Sequence, residues 1–467
     1  MLISKYLLAA LSILTCGLAL AQALPPEVTA ALARAKVPHE AISLLVVDAE
    51  GQRPPRLSHR AHVPANPASV MKLVTTYAAL DLLGPAYIWR TPVFIEGAVR
   101  DGTLYGNLVI KGQGDPKLVA ERLWLLLRRV QGLGIGSIAG DIVLDRSAFE
   151  PTDADPASFD NEPLRPYNAA PDALLLNFKS VVMTFVPDRS ANTASVQFEP
   201  PLAGVQLQTR VPLSNGANAE CGDYRAALKA DFSDPARIRF GGAYPAACQE
   251  KVWPVAYADP ASYSVRAVQG LWREMGGKLS GTVREGRVPA NLPPTFEMVS
   301  PPLAEVIRDI NKYSNNVMAQ QVFLTLSLPA ASRQASRDIV RSWWHNRIGP
   351  DDAPVLDNGS GLSRSERISA LALSRLLQSA YRSPLMPELM SSLPITGVDG
   401  TMKNRRGLPM GRAHLKTGSL RDVTAVAGYV HGMSGKRYVL VAIVNHPNAS
   451  AARPAFDALI EWAVKDN

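Results

Sequence analysis

Cysteine is almost missing from this chain, with three in 467 residues. Histidine is also sparse, at seven, and no histidines cluster at ligand spacing. A structural or catalytic zinc site therefore has no support, and no metal or organic cofactor is expected. Basic blocks interleaved with aromatics are lacking too. The net charge of +8 is modest for this length, which argues against nucleic acid and leaves attraction to a polyanionic surface. Outside the N-terminus no apolar run is long enough to span a membrane, so no stable membrane insertion is expected. Internal repeats and low-complexity tracts are absent. What is present is ample core material: 47% of residues are hydrophobic, enough to fill two or three domains.

Residues 1–23 read as a secretory signal. Lys5 gives the positive start, residues 7–20 the apolar core, and Ala19, Ala21 and Ala23 the small residues that permit cleavage after Ala21 or Ala23. An uncleaved anchor is the alternative, but the apolar core is short for a span. The mature chain is expected outside the cytoplasm, and a periplasmic location fits. Cys16 lies within the signal, which leaves Cys221 and Cys248. In an oxidising compartment these are expected to form a disulfide, with two separate buried thiols as the alternative.

The texture changes along the chain. Residues 26–36 carry a helical pattern and 41–48 a continuous apolar strand. From about 91 to 261 come short β-rich runs, such as 106–112, 140–145, 181–186, 195–198 and 205–211, with one helical stretch at 117–130. This region, with both cysteines, reads as inserted material, two nested β-rich domains. Helical texture returns at 263–275, 302–328, 331–347 and 369–382. A strand pair, 423–430 and 437–445, crosses a turn at 432–435, and 451–464 is an amphipathic helix. Residues 24–90 and 262–467 are thus expected to form one discontinuous catalytic domain.

The chemistry starts at Ser69-Val70-Met71-Lys72. Behind the serine an apolar run continues to Gly84-Pro85, which predicts a buried helix opening at Ser69. Positions i and i+3 share a face, so the Lys72 amine can reach the Ser69 hydroxyl. The free N–H groups of the helix start could stabilise an oxyanion. Taken alone the motif is weak, since Ser-x-x-Lys arises roughly once by chance in such a chain. Lys416-Thr417-Gly418 is far rarer, expected about 0.05 times. Ser314-Asn315-Asn316 supplies a Ser-x-Asn between them. Lys416 on a sheet edge offers a cation for a terminal carboxylate, with the Thr417 and Ser419 hydroxyls as hydrogen-bond donors. Gly418 would let a substrate backbone approach the strand. Ser314 can relay a proton, and Asn316 can position Lys72 and a substrate amide. Ser-x-x-Lys, Ser-x-Asn and Lys-Thr-Gly in this order form a known signature of serine β-lactamases and penicillin-binding proteins.

With these motifs the chain resembles the class C low-molecular-mass penicillin-binding proteins, the D-alanyl-D-alanine carboxypeptidase/endopeptidases of the penicillin-binding protein 4 type. Four further stretches carry the resemblance: Gly112-Gln113-Gly114-Asp115-Pro116, residues 167–178 (YNAAPDALLLNF), 357–364 (DNGSGLSR, with one extra residue between Asp357 and Gly359) and 397–405 (GVDGTMKNR). Ser314 stands 245 positions after Ser69, a gap that in the family holds inserted domains. The resemblance implies an α+β fold: a β-lactamase/transpeptidase-like domain with an antiparallel five-stranded sheet flanked by helices, interrupted by the β-rich insertions. It implies a serine D-Ala-D-Ala carboxypeptidase/endopeptidase acting on peptidoglycan stem peptides and cross-links through a Ser69 acyl-enzyme and inhibited by β-lactam antibiotics. Catalysis would rest on Ser69, Lys72, Ser314, Asn316 and Lys416, with Thr417, Gly418 and Ser419 binding substrate. The backbone N–H groups of Ser69 and Ser419 would form the oxyanion hole. Lys72 must be neutral to act as base, which burial and the neighbouring Lys416 would favour. Asp115, Asp160 and Asp172 are candidates for reading the stem-peptide diamino acid. Two other functions compete: a β-lactamase or esterase on the same site, and a non-catalytic wall-binding scaffold. Nothing specifies an oligomeric state.

Overall fold

The computed structural model describes residues 23–151, 155–214, 220–405, 407 and 409–466. All but the last residue of the expected export signal lies outside them. No helix among the described residues is long and apolar enough to cross a membrane.

One sheet organises the catalytic half. Its five strands run in the order Ala413–Leu420, Val423–His431, Arg437–Asn445, Ile42–Asp48 and Leu57–His59, every neighbouring pair antiparallel. The N-terminal strand therefore closes against the last one, with Ile42 opposite Val444 and Asp48 opposite Tyr438. Both faces are covered, which is why these strands read as unbroken apolar runs rather than as alternating ones. Helix Pro26–Ala35 presents Val28, Ala31, Leu32 and Ala35, the i, i+3, i+4, i+7 stripe of an amphipathic helix, to helix Arg453–Val464 on one face. The other face carries helices Lys72–Leu83, Leu303–Tyr313, Asn316–Thr325, Arg333–Arg347 and Ala370–Tyr381. The first of these is buried from Lys72 through Leu80, so it runs through the middle of the domain and its start is held rigidly.

Strands from before and after the expected insertion boundary at 261 share one sheet. A seven-stranded sheet contains Arg90–Arg100 and Thr103–Lys111 together with Lys278–Leu279, Val283–Glu285 and Phe296–Val299. Helix Tyr263–Glu274 packs into the same core. Phe296–Val299 pairs with Arg90–Val93, so residues beyond the expected boundary at 261 share this sheet. Phe296–Val299 is only four residues long and its partner lies about 200 positions away, so no local pattern in the sequence ties them. A second, five-stranded sheet includes Ser180–Asp188, Thr193–Glu199 and Lys251–Ala256. The stretch 205–211, expected as one strand, is two short ones, Gln206–Leu207 and Arg210–Ser214.

Cys221 and Cys248 are disulfide-bonded in this second unit. The bond closes a loop of 27 residues, for which chain entropy gives roughly 3 kcal/mol of stabilisation. Replacing both by serine is expected to lower the unfolding temperature of the inserted unit while Ser69 reactivity persists. Calorimetry beside a penicillin-labelling assay checks this; an unchanged transition would contradict it.

Candidate active site

Ser69 is presented on a turn ahead of the helix. Ala68–Met71 form a 3₁₀ turn and the α-helix begins at Lys72, so the expected helix start at the serine lies one turn too early. In a 3₁₀ turn positions i and i+3 eclipse, and Lys72 Nζ lies 3.0 Å from Ser69 Oγ. The turn is strained at Ala68, whose φ is +48°, a conformation costing about 1–3 kcal/mol for a residue with a side chain. An asparagine clamp holds it. Asn66 Oδ1 accepts from the Ala68 N–H at 2.9 Å, and Asn66 Nδ2 donates to the Ser363 carbonyl at 2.9 Å. The Asn66 backbone and the Asn445 side chain exchange two further bonds of 2.8 and 2.9 Å.

Lys72 is fully buried. Its Nζ also donates to Asn316 Oδ1 at 2.6 Å and, in a short contact, to the Ser360 carbonyl. Those two oxygens only accept. A neutral amine therefore gives them its two N–H groups and turns its lone pair to the Ser69 hydroxyl. Burial pushes the Lys72 pKa down to about 7, against the opposing pull of the Glu366 carboxylate. Lys416 is itself held well below the usual lysine range by its own burial and then by Lys72.

Lys416 is not the open cation that its place on an edge strand suggests. It is fully buried, donating to Ser314 Oγ and to the Thr417 carbonyl, both at 2.8 Å. Ser314 reaches it because the helical stretch 302–328 breaks there: Ser314 caps helix Leu303–Tyr313 with φ 57° and ψ 37°, and Asn315 starts the next helix by accepting from the Met318 N–H at 3.0 Å. Asn316 then sits on the first turn, its Nδ2 donating to the Tyr167 carbonyl at 3.3 Å. Two serine–lysine pairs thus meet at one cleft of about 620 Å³, whose lining includes Ser69, Ser314, Asn316 and Ser419. Thr417 is partly exposed and Ser419 exposed.

Gly418 is also required by the protein's own packing. A Cβ there would lie 2.5 Å from the Pro67 carbonyl oxygen and 3.1 Å from the Ser69 nitrogen. The glycine is demanded by the protein's own nucleophile turn, which packs against the strand. Gly361 is bound more tightly still: its φ is +80° and a Cβ would come 2.0 Å from the Ala68 carbonyl oxygen. Gly361→Ala is expected to cost about 2 kcal/mol or more and to displace Ser69. Urea unfolding and the acylation rate should both respond, and a variant matching wild type in both would refute this packing argument.

Several contributors carry no chemical signature in sequence. The Ser360 carbonyl, the Tyr167 carbonyl and buried Glu366 act through backbone or from beneath the site; only their presence in or beside the stretches 357–364 and 167–178 hinted at them. The 397–405 stretch supplies Thr401, whose hydroxyl lies 2.7 Å from that of Thr417, and Asp399, paired with buried Lys312 at 2.6 Å. Of the three acidic candidates only Asp160 lines the cleft, accepting from Tyr167 Oη at 2.9 Å and Asn168 Nδ2 at 2.8 Å. Asp115 is buried elsewhere and receives the Lys117 N–H at 2.8 Å. Asp172 is buried against Lys179 at 2.8 Å.

A five-stranded antiparallel sheet layered between helices, with a Ser-x-x-Lys turn facing a Lys-Thr-Gly strand, defines the active-site-serine class built on the transpeptidase-like fold. Within that class the chain belongs to the D-Ala-D-Ala carboxypeptidase 3 (S13) family, whose model matches residues 24–465. It is 26% identical to the D-alanyl-D-alanine carboxypeptidase DacB of Haemophilus influenzae over 81% of this chain and 80% of that one. It is 28% identical to the D-alanyl-D-alanine carboxypeptidase of an Actinomadura species, over 83% and 74% respectively. Among solved structures, penicillin binding protein 4 of H. influenzae shares the fold with a TM-score of 0.72, covering 93% of this chain and 99% of that one at 24% identity.

Proposed function

We propose that this protein is an exported serine D-Ala-D-Ala carboxypeptidase that also cleaves peptidoglycan cross-links, with Ser69 as the acylated nucleophile. The observation that carries this is the placement of Lys72 Nζ 3.0 Å from Ser69 Oγ with both its N–H groups engaged by carbonyl oxygens. In the proposed reaction Ser69 Oγ attacks the carbonyl preceding the terminal D-alanine and its proton passes to Lys72. The C–N bond then breaks and the leaving amine takes a proton through the Ser314 hydroxyl, which Lys416 orients. Water hydrolyses the ester and regenerates Ser69. The same steps cut a cross-link when the leaving amine belongs to a neighbouring stem peptide. Thr417 and Ser419 would receive the terminal carboxylate, and Asp160 the ammonium of the diamino acid.

Export to the periplasm is supported by the pattern of residues 1–23 and by the Cys221–Cys248 bond, which persists only in an oxidising compartment. We also take residues 24–89 and 300–466 as the catalytic domain and 90–299 as the inserted material. The resemblance to penicillin-binding proteins extends the reading to β-lactams, which would acylate Ser69 and leave slowly. The test is mass spectrometry after incubation with penicillin, together with D-alanine release from a stem pentapeptide and cleavage of a cross-linked muropeptide. A stable adduct on Ser69 with release of D-alanine is expected. Rapid return to the unmodified mass with hydrolysed penicillin would make it a β-lactamase, and no serine-dependent product would end the assignment.

A further inference from the structure

Beneath the site lies a carboxyl group that the proposed reaction does not use. Glu366 is fully buried, and its Oε1 accepts the backbone N–H groups of Asp357, Asn358 and Gly359 at 3.1, 3.2 and 3.1 Å. Its Oε2 is buried with no hydrogen-bond partner among the described residues. The next residue in that turn, Ser360, is the one whose carbonyl receives the Lys72 amine. The turn's carbonyls have partners of their own, the Thr75 hydroxyl donating to that of Gly359 at 2.6 Å and Arg337 to that of Asp357 at 3.2 Å, whereas its three successive N–H groups all converge on Glu366. We infer that Glu366 is a positioning residue for the general base: its carboxyl gathers three N–H groups of the 357–359 turn and so fixes the Ser360 carbonyl that orients the Lys72 amine toward Ser69.

The inference rests on the proposed role of Lys72. Three N–H bonds onto one carboxyl oxygen is a demanding arrangement, since each would be a buried unpaired donor without it. Nearby charges bear on it from each side. Lys72 faces it from the central helix. Asp357 lies in the turn itself and leans toward Arg337 of helix Arg333–Arg347, at 3.8 Å. Lys416 lies beyond Lys72. Burial raises the Glu366 carboxyl to about 7, and its ionised form opposes the lowering of Lys72. The two groups therefore titrate as a coupled pair. When Glu366 is ionised it favours the Lys72 ammonium, the form that cannot accept the Ser69 proton. Removing the charge while keeping the acceptor oxygen must shift the base toward its neutral form at lower pH.

The test uses penicillin acylation of the full chain, followed by mass spectrometry from pH 5 to 9, with melting curves for each variant. Glu366→Gln keeps an acceptor for the three N–H groups; its rising acylation limb is expected about half a unit or more to the acid side of wild type. Glu366→Ala frees the turn and is expected to lose about tenfold or more in acylation at pH 8, with Gln restoring most of that loss. A Gln limb that coincides with wild type or moves to the basic side overturns the inference, as does a folded Ala variant acylating at the wild-type rate. If wild type itself forms no adduct, the proposed function falls first, so the two failures are distinguishable.

Discussion

Ser69→Ala is expected to abolish penicillin adduct formation and to reduce D-alanine release by about four orders of magnitude or more, while leaving the melting temperature nearly unchanged. The argument is geometric. Ser69 Oγ is the hydroxyl that lies both at the cleft and against a buried amine whose N–H groups are already taken. Deleting one oxygen from a partly exposed side chain removes little buried surface, so stability should change by less than about 1 kcal/mol. Among the described residues the other lysine-held hydroxyl of the cleft, Ser314, faces Lys416, which also donates to the Thr417 carbonyl. Removing a nucleophile that works with its base as a unit forfeits nearly all covalent catalysis. Peptide mapping of penicillin-treated wild type and variant decides the matter. A persistent adduct on Ser314, or on any other serine of the variant, would show that the nucleophile has been misassigned.

Lys72→Ala should be nearly as severe, with a loss of acylation of about 10³-fold, and it should also lower stability. The substitution empties a fully buried site and leaves Asn316 Oδ1 and the Ser360 carbonyl without their donor. Lys72→Arg is not expected to rescue activity, because a guanidinium does not deprotonate in a protein and cannot take the Ser69 proton. In wild type the sign of the pH dependence follows from which form reacts. Burial holds the Lys72 pKa at about 7, the neutral amine is the base, and acylation should therefore climb as pH rises from 6 to 8. Below that window the amine is protonated and the rate should fall about tenfold per unit. Stopped-flow acylation from pH 5 to 9 checks this. A rate that is flat across the range, or one that falls with rising pH, would sink Lys72 as the base.

Much of this was legible in the chain alone, and the reasons are local. Lys416-Thr417-Gly418 and Ser69-x-x-Lys72 are short enough that chemistry and spacing coincide, and the apolar runs at 42–48, 423–431 and 437–445 declare buried strands by composition. Other features needed distant partners. The four-residue strand Phe296–Val299 finds Arg90–Val93 across the sheet, a pairing no local pattern records. The lysine at 416 is not open to solvent on its edge strand because the fold buries it against Ser314. Gly418 answers to the Pro67 carbonyl, a constraint no local motif records. Glu366 has no motif at all, since what makes it special is three N–H groups converging on one oxygen.

The amino-acid sequence by itself determined the candidate reacting groups, their order and the family resemblance that implies the layered fold, because those depend on side-chain identity and on short motifs. Tertiary structure alone decided how deeply each amine is buried, which oxygens its N–H groups meet and which short strands share a sheet. Desolvation, hydrogen-bond direction and strand pairing are all set by neighbours brought in from hundreds of positions away, and no local pattern records them.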